Sequence, residues 1–289
     1  MTEHSVFITG AATGIGLALA KKLDALGWRV FAGVNKTPPT ELTRGASDRL
    51  TVMRVNIGDD EQVRQAARAV GEAVGQRGLE LLINNAAMTG APGPVETVSV
   101  EDFKWLMEVN FWGPLRVTQA FLPLLRQFGR SRIIMVTSAS VYLTIPMGCS
   151  YPVSKHALAA LTDHLRMELA PFGIEVTALE PGGVQTPMTA FRPEEEATFW
   201  AAIPPPLRER YDAAFTYPGK GLQEGFEFES PESYAEKVYT RIISAKKLKP
   251  CYTLGKGVAI LPVMHRVLSR RALEMVFRKL LRVKIRRTS

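Results

Sequence analysis

Ser5-Val-Phe-Ile-Thr9-Gly10-Ala-Ala-Thr13-Gly14-Ile15-Gly16 is the stretch whose reading decides the fold. Its first five residues form a short apolar, β-branched run, the composition of a buried strand. Leu17-Ala-Leu-Ala-Lys-Lys-Leu-Asp-Ala-Leu26 follows the glycines as a strong helix former, and Gly27 ends it. Strand, glycine turn and helix in that order let a backbone approach a pyrophosphate whose charge sits at the helix N-terminus. Gly10, Gly14 and Gly16 are spaced as a variant of the G-x-G-x-x-G pattern, so the flanks carry more of the argument than the glycines do.

The second strand, Arg29-Val-Phe-Ala-Gly33, ends about twenty residues past the glycines, where an NAD site places an acid on the ribose 2′-hydroxyl. Here stand Val34, Asn35 and Lys36, with no acid between Asp24 and Glu41. A lysine there suits a 2′-phosphate, which favours NADP(H) over NAD(H); the alternative is a solvated loop lysine.

Tyr151 and Lys155 lie four residues apart in Ser150-Tyr-Pro-Val-Ser-Lys155, with Ser138 thirteen residues before the tyrosine. On a helix, i and i+4 share a face. A free phenol ionises near pH ~10, and lowering that by roughly three units needs about 4 kcal/mol. One positive charge about 4 Å away supplies that much at an effective dielectric near 20. The pair is thus expected to trade protons near neutrality. Tyr-x-x-x-Lys by itself also describes a lysine snorkelling beside an aromatic on a solvated helix.

In combination these motifs resemble the short-chain dehydrogenase/reductase family, over residues 5 to about 187. Thr9-Gly10-Ala-Ala-Thr13-Gly14-Ile15-Gly16 is similar to its cofactor turn, and Asn84-Asn85-Ala86-Ala87 to its N-N-A-G motif with alanine for the glycine. Asn110 stands in Glu108-Val-Asn110-Phe-Trp-Gly113, Ser138 ends the strand Ile134-Met-Val-Thr-Ser138, and Pro181-Gly182-Gly183-Val184-Gln-Thr186 resembles the segment that closes over nicotinamide. The resemblance implies that Tyr151 is the general acid/base, Lys155 lowers its pKa and holds the nicotinamide ribose, Ser138 polarises the carbonyl, and Asn110 supports a relay water. It further implies cofactor contacts from Gly10, Thr13, Gly14, Ile15, Gly16, Asn35, Lys36, Asn56, Asn84, Ala86, Pro181, Gly182, Val184 and Thr186. Asn56 replaces the family's adenine-contacting aspartate, although an amide oxygen can still accept that bond. Looser cues, Val30-Phe-Ala-Gly-Val34 and a basic helix after Cys251-Tyr-Thr-Leu-Gly255, resemble the retinol/steroid dehydrogenase branch.

The expected fold is α/β: a single doubly wound parallel-sheet Rossmann domain with a C-terminal lid and a basic helical extension. Residues 1–187 would form the core, 188–230 a substrate lid, and 231–289 the helices that complete the domain. Between Met188 and Phe228 the alternation lapses into what reads as a long loop holding Phe191, Phe199, Trp200, Tyr211, Phe215, Tyr217, Phe226 and Phe228. A lid over an apolar substrate is expected from those rings, with a dimer contact as the alternative. Ser230-Pro231-Glu232 reads as N-cap, N1 proline and acidic first turn of a new helix.

Net charge is +8, unevenly placed: residues 241–289 hold fourteen Lys or Arg against Glu274, leaving the rest at −5. Apolar residues at 273, 276/277, 280 and 283 form a helical stripe there. The run either packs on the domain with a solvated basic side or attaches peripherally to an anionic membrane. It is too short to span one. Nucleic-acid binding is disfavoured, since the front of the chain already carries a small-molecule site. No charged-then-apolar leader precedes Ser5, and Cys149 and Cys251 have no metal or redox spacing. A cytoplasmic homo-oligomer without a metal is therefore expected, reversibly oxidising an alcohol. A non-catalytic dinucleotide sensor and a reductase of a small polar carbonyl are the competing readings.

Overall fold

In the computed structural model the described residues are 4–90, 92–190, 192–215 and 227–280. Seven parallel strands form one sheet in the order β3-β2-β1-β4-β5-β6-β7. They are β1 (Ser5–Thr9), β2 (Arg29–Val34), β3 (Leu50–Arg54), β4 (Leu81–Asn84), β5 (Arg132–Val136), β6 (Glu175–Pro181) and β7 (Cys251–Leu254). Strand β1 sits centrally and every residue in it is buried. A parallel strand covered on both faces has no solvent side, which is why Ser5–Thr9 reads as a continuous apolar run rather than an alternating one.

Alternation within β1 still sorts side chains between two cores. Val6 and Ile8 join Leu19 and Leu23 of helix α1 (Gly14–Ala25) and Tyr234 and Val238 of the helix Pro231–Val238. Phe7 faces the opposite layer and stacks on Phe121 of α5 (Gly113–Phe128), ring centroids 4.4 Å apart. The short helix α2 (Thr40–Thr43) follows β2, and α3 (Asp60–Val74) and α6 (Ser150–Leu169) complete that second layer through Val63, Val70, Leu158 and Leu165. The chain leaves β1 towards β2 and β3, then returns to place β4 on the other flank of β1. That reversal opens a crevice at the carboxyl ends of β1 and β4, where doubly wound sheets bind ligands.

Two features of the rear of the chain depart from the expected long loop. Residues 193–214 form two helices, α7 (Pro193–Ala202) and α8 (Pro205–Ala214). Each opens with proline at its first turn, and α7 has Glu194, Glu195 and Glu196 there, a helix start that complements the helix dipole. The triple-proline segment is the break between them: Pro204 is the N-cap of α8. Phe199 and Ile203 bury against Met147, with Trp200, Leu207, Tyr211 and Phe215 packed around them. Phe191, Tyr217 and Phe226 lie outside the described residues.

The helix after Ser230 matches its expected cap: Ser230 accepts a bond from the Ser233 N–H at 3.1 Å, and Pro231 opens the helix. Farther on, the helix Arg270–Leu280 turns Leu273 and Phe277 inward onto Leu261, Val258, Ala139 and Leu143. This part of the apolar stripe is thus used in packing, whereas Met275 on that helix is exposed. Val283 and the rest of the basic run lie outside the described residues. No helix among the described residues is long and apolar enough to cross a membrane.

Candidate active site

Ser138 follows β5 by two residues and caps a short 3₁₀ turn, Ala139–Tyr142, its Oγ accepting from the Ser140 N–H at 3.1 Å. Tyr151 and Lys155 rise from the first turns of α6 on one face. Lys155 is 1 % exposed, and its Nζ donates to the Val136 carbonyl at the end of β5, 2.9 Å away. The same Nζ lies 5.7 Å from the Tyr151 ring centroid. The three residues predicted from spacing are therefore brought together at the carboxyl edge of β5.

The electrostatics differ from the expectation. Burial pushes the Tyr151 phenol up, opposed by its hydrogen bond with Ser138, and no depression by Lys155 emerges. Burial likewise brings Lys155 down to about 7. The physical reason is that desolvation penalises whichever form is charged, phenolate and ammonium alike. Residue spacing registers the Coulomb gain from Lys155 but not the burial of either group.

Asn110 is fully buried in a π-helical segment, Glu108–Trp112, between α4 (Val100–Met107) and α5. Such wide turns recur at functional positions. Its Oδ1 accepts from the Met88 N–H at 2.9 Å, and its Nδ2 donates to the Met88 carbonyl at 2.8 Å and to Ser154 Oγ at 3.0 Å. Ser154 in turn donates to the Tyr151 carbonyl at 2.7 Å. Both amide donors of Asn110 are spent on this chain, tying the segment before α5 to the first turn of α6, so a relay water there would have to donate to an oxygen of Asn110.

The glycine turn is held against the end of β4. Thr9 Oγ1 accepts from the Asn85 and Ala86 N–H groups, each at 3.0 Å, and Asn85 Nδ2 donates to the carbonyls of Thr9 and Gly10 at 3.0 and 3.1 Å. Gly10 has φ +68°, and a Cβ there would lie 2.8 Å from the Ala86 Cα. A Cβ on Gly16 would lie 2.4 Å from the Gly10 carbonyl oxygen. A Cβ on Gly14 would lie 2.9 Å from Thr186 Cγ2, so the segment after β6 reaches across to the same turn. Thr13 caps α1 without a side-chain bond, and Ile15 packs beneath on the first core. Gly10 and Gly16 jammed by backbone and a helix start free of a side-chain cap fit a bound pyrophosphate.

Asn84 is placed otherwise than expected. Its Nδ2 donates to Thr118 Oγ1 at 3.0 Å and to Met135 Sδ at 3.2 Å, in the core beneath the sheet. Asn85 is the asparagine that stitches the turn. At the neighbouring edge Asn35, Lys36 and Asn56 are exposed, and Asn56 Oδ1 accepts from the Gly58 N–H at 3.1 Å, a local turn that already engages the expected adenine acceptor. Beyond β6, the Gly182 N–H donates to the Leu254 carbonyl at 2.8 Å, and Val184 pairs with Glu229 in an isolated bridge. Buried Glu180, before Pro181, accepts from Tyr142 Oη at 3.0 Å and from Thr253 Oγ1, and burial raises its carboxyl pKa.

Two residues escaped the sequence reading. Met147, in the loop before Tyr151, is buried at φ +58°, a strained value for a side-chain-bearing residue. It joins that loop to α7. Arg54 closes β3 and donates to the Asn35 carbonyl at the end of β2.

Comparison with known proteins places the chain among relatives of one family. The family model described as short chain dehydrogenase matches residues 4–197. Mouse retinol dehydrogenase 5 is 39% identical over 217 residues, 74% of this chain and 68% of that protein. Rat estradiol 17-beta-dehydrogenase 2 is 37% identical over 187 residues, 64% of this chain and 49% of that protein, so the match spans about half of its length. A short-chain dehydrogenase from Streptomyces avermitilis superposes with TM-score 0.78 at 25% identity, covering 98% of both chains. One from Burkholderia cenocepacia in complex with NADP gives 0.72 at 25% identity, covering 95% of this chain and 97% of that one. With glycine turn, Ser138, Tyr151 and Lys155 converging on one crevice, and a family match over two thirds of its length, the chain belongs to the short-chain dehydrogenase family.

Proposed function

We propose that this NAD(P)-dependent oxidoreductase acts on a bulky apolar alcohol or ketone, of retinoid or steroid type, with NADP(H) as its preferred cofactor. The observation that carries the substrate class is the cluster of Met147, Phe199 and Ile203, with Trp200 and Phe215 around it, adjoining the loop that leads into Tyr151. Met147, Phe199 and Ile203 are already buried, but the rings around them, Trp200, Tyr211 and Phe215, are only partly covered, and a large apolar substrate would bury them where a small polar one would leave them facing water. The names of the relatives, retinol and estradiol dehydrogenases, point the same way. In this reading residues 188–230 form the lid over the 1–187 core, and 231–289 complete the domain.

A bound dinucleotide supplies the hydride donor or acceptor. The chain does the rest: Ser138 Oγ holds the substrate oxygen, and the protonated Tyr151 Oη gives its proton to that oxygen in reduction, or, once it has released that proton to solvent, takes the hydroxyl proton as the carbonyl forms. Lys155, brought down to about 7 by burial, is a group able to exchange a proton near neutrality. Asn110 acts through Ser154 to fix the height of Tyr151. The glycine turn, Asn85, Ala86 and the segment from Pro181 to Thr186 hold the cofactor.

Turnover with NADPH or NADP⁺ across steroids, retinoids, long-chain alcohols and sugars is the test. A much higher kcat/KM for the bulky apolar members is expected. Preference for a sugar would overturn the substrate class, and dinucleotide binding without turnover on any member would favour a sensor instead.

The same reading places the protein at a lipid surface as a homo-oligomer. Outward-facing Val263, Val267 and Met275 stand among Arg266, Arg270, Arg271 and Arg278 at the C-terminal end. Apolar side chains ringed by cations suit an anionic bilayer. Exposed Trp105 and Trp112 offer a self-association surface. Sedimentation with anionic and neutral vesicles, and the mass in solution, test the two parts separately.

A further inference from the structure

Strands β2 and β3 run in register so that Val34 lies opposite Arg54, and the Val55 N–H donates to the Val34 carbonyl at 2.8 Å. This pairing delivers the exposed Arg54 side chain to the carboxyl edge of β2. There Nη1 donates to the Asn35 carbonyl at 2.5 Å. Among the described residues no carboxylate pairs with Arg54 or with Lys36 one residue beyond Asn35. The neighbouring acids are engaged elsewhere: Glu41 pairs with Arg44, Asp60 with Arg116, and Asp59 caps α3. Two cations without acidic partners thus occupy the edge where a ribose-binding acid would stand in an NAD site.

We infer that Arg54 reads the 2′-phosphate of NADP(H), with Lys36 as an auxiliary charge. This rests on the NADP(H) preference proposed above. One guanidinium nitrogen is tethered to the backbone, so the fork is held in place before the ligand arrives and less freedom is lost on binding. The remaining N–H groups match a phosphate geometrically as a lysine cannot. Lys36 has no such tether and contributes chiefly as a point charge. Arg54 is hidden from a linear reading, which looks for the phosphate-binding residue just past β2; it arrives from the adjacent strand.

The test is equilibrium binding to the full chain, read by fluorescence of NADPH and NADH. Competition by adenosine 2′,5′-bisphosphate and by 5′-AMP serves as a probe that lacks the nicotinamide. Arg54→Ala should weaken NADPH and the bisphosphate roughly 10- to 100-fold, the loss of a charged hydrogen-bonding partner, with NADH and 5′-AMP unchanged. Arg54→Lys should fall between, and Lys36→Ala should lose less than Arg54→Ala. Wild-type protein that binds NADPH and NADH equally would overturn the cofactor preference and this role with it. Wild-type preference for NADPH that survives Arg54→Ala overturns the role of Arg54 alone. Equal losses for both dinucleotides would also overturn it, assigning Arg54 to the support of the Asn35 turn.

Discussion

The front and the rear of this molecule are built under different constraints. In the front, from Ser5 to Thr186, site positions are dictated largely by backbone: Gly10 and Gly16 leave no room for a Cβ beside main-chain atoms, Asn85 ties two strand ends, and Lys155 is locked to the Val136 carbonyl. In the rear, helices α7 and α8 are held mainly by a small cluster around Phe199 and by single polar links such as Tyr211 Oη to Glu96 at 2.7 Å. The first arrangement would fix where the proposed chemistry happens. The second can vary without disturbing it, as the proposed substrate wall would have to.

The largest contrast should come from two phenylalanines. Phe121 is fully buried between α5 and β1, so Phe121→Ala should destabilise by about 3–5 kcal/mol. Phe199 is nearly as buried, yet its cluster is a satellite, and Phe199→Ala should open it locally with a smaller loss in global unfolding. The second variant should instead raise KM for a bulky apolar substrate more than for a small alcohol. Chemical denaturation of both variants checks the contrast; equal losses would make the rear part of the main core.

Tyr151→Phe probes the front where chemistry, rather than stability, is at stake. Removing the hydroxyl leaves the ring and its packing, so kcat should fall at least ~10²-fold with dinucleotide affinity held. Retained activity would remove Tyr151 from the mechanism. Next in size come the glycines. Gly16→Ala puts a methyl 2.4 Å from the Gly10 carbonyl oxygen and 2.5 Å from Asn85 Nδ2. Overpacking of this kind costs about 1–3 kcal/mol, and dinucleotide affinity should drop as well. Gly257, at φ +72° with nothing near its Cβ, should lose only about 1 kcal/mol as alanine, with affinity intact. Thermal melts with and without cofactor separate the two.

Much of this contrast was legible in the residues. The strand, turn and helix after Ser5 are set by local chemistry, as is the cap at Ser230. The Ser138, Tyr151 and Lys155 set is visible because helix periodicity alone puts the last two on one face. The asparagine pair shows where reading failed although the signal existed: Leu82 faces the α5 layer, strands alternate, and so Asn84 faces that layer too. Helices α7 and α8 are likewise marked by their proline starts, a signal that the density of aromatic residues between Met188 and Phe228 masks. Arg54 and Met147 were not legible, because one depends on which strand lies beside β2 and the other on a backbone angle that no residue type dictates. Nor could spacing tell that burial outweighs charge at Tyr151.

That last point gives the most specific prediction, on Lys155. Its pKa falls from the ordinary 10.5 to about 7 because burial disfavours the ammonium. Between those values the unfolded chain holds a proton that the folded chain has released. Stability therefore rises with pH across this window, and below about 7 the folded state carries the full penalty of a buried charge. One proton contributes a slope of at most about 1.4 kcal/mol per pH unit. Lys155→Met keeps the volume and cannot titrate, so the difference in unfolding free energy between wild type and variant should change with pH from 7 to 10 and level off below 7. Denaturation curves at pH 6, 7, 8 and 9 measure it. Parallel pH profiles would mean that Lys155 keeps its proton in the folded protein, held by the Val136 carbonyl at 2.9 Å. The Coulomb argument for an acidic Tyr151 would then return, and the front of the molecule would owe its reactivity to charge after all.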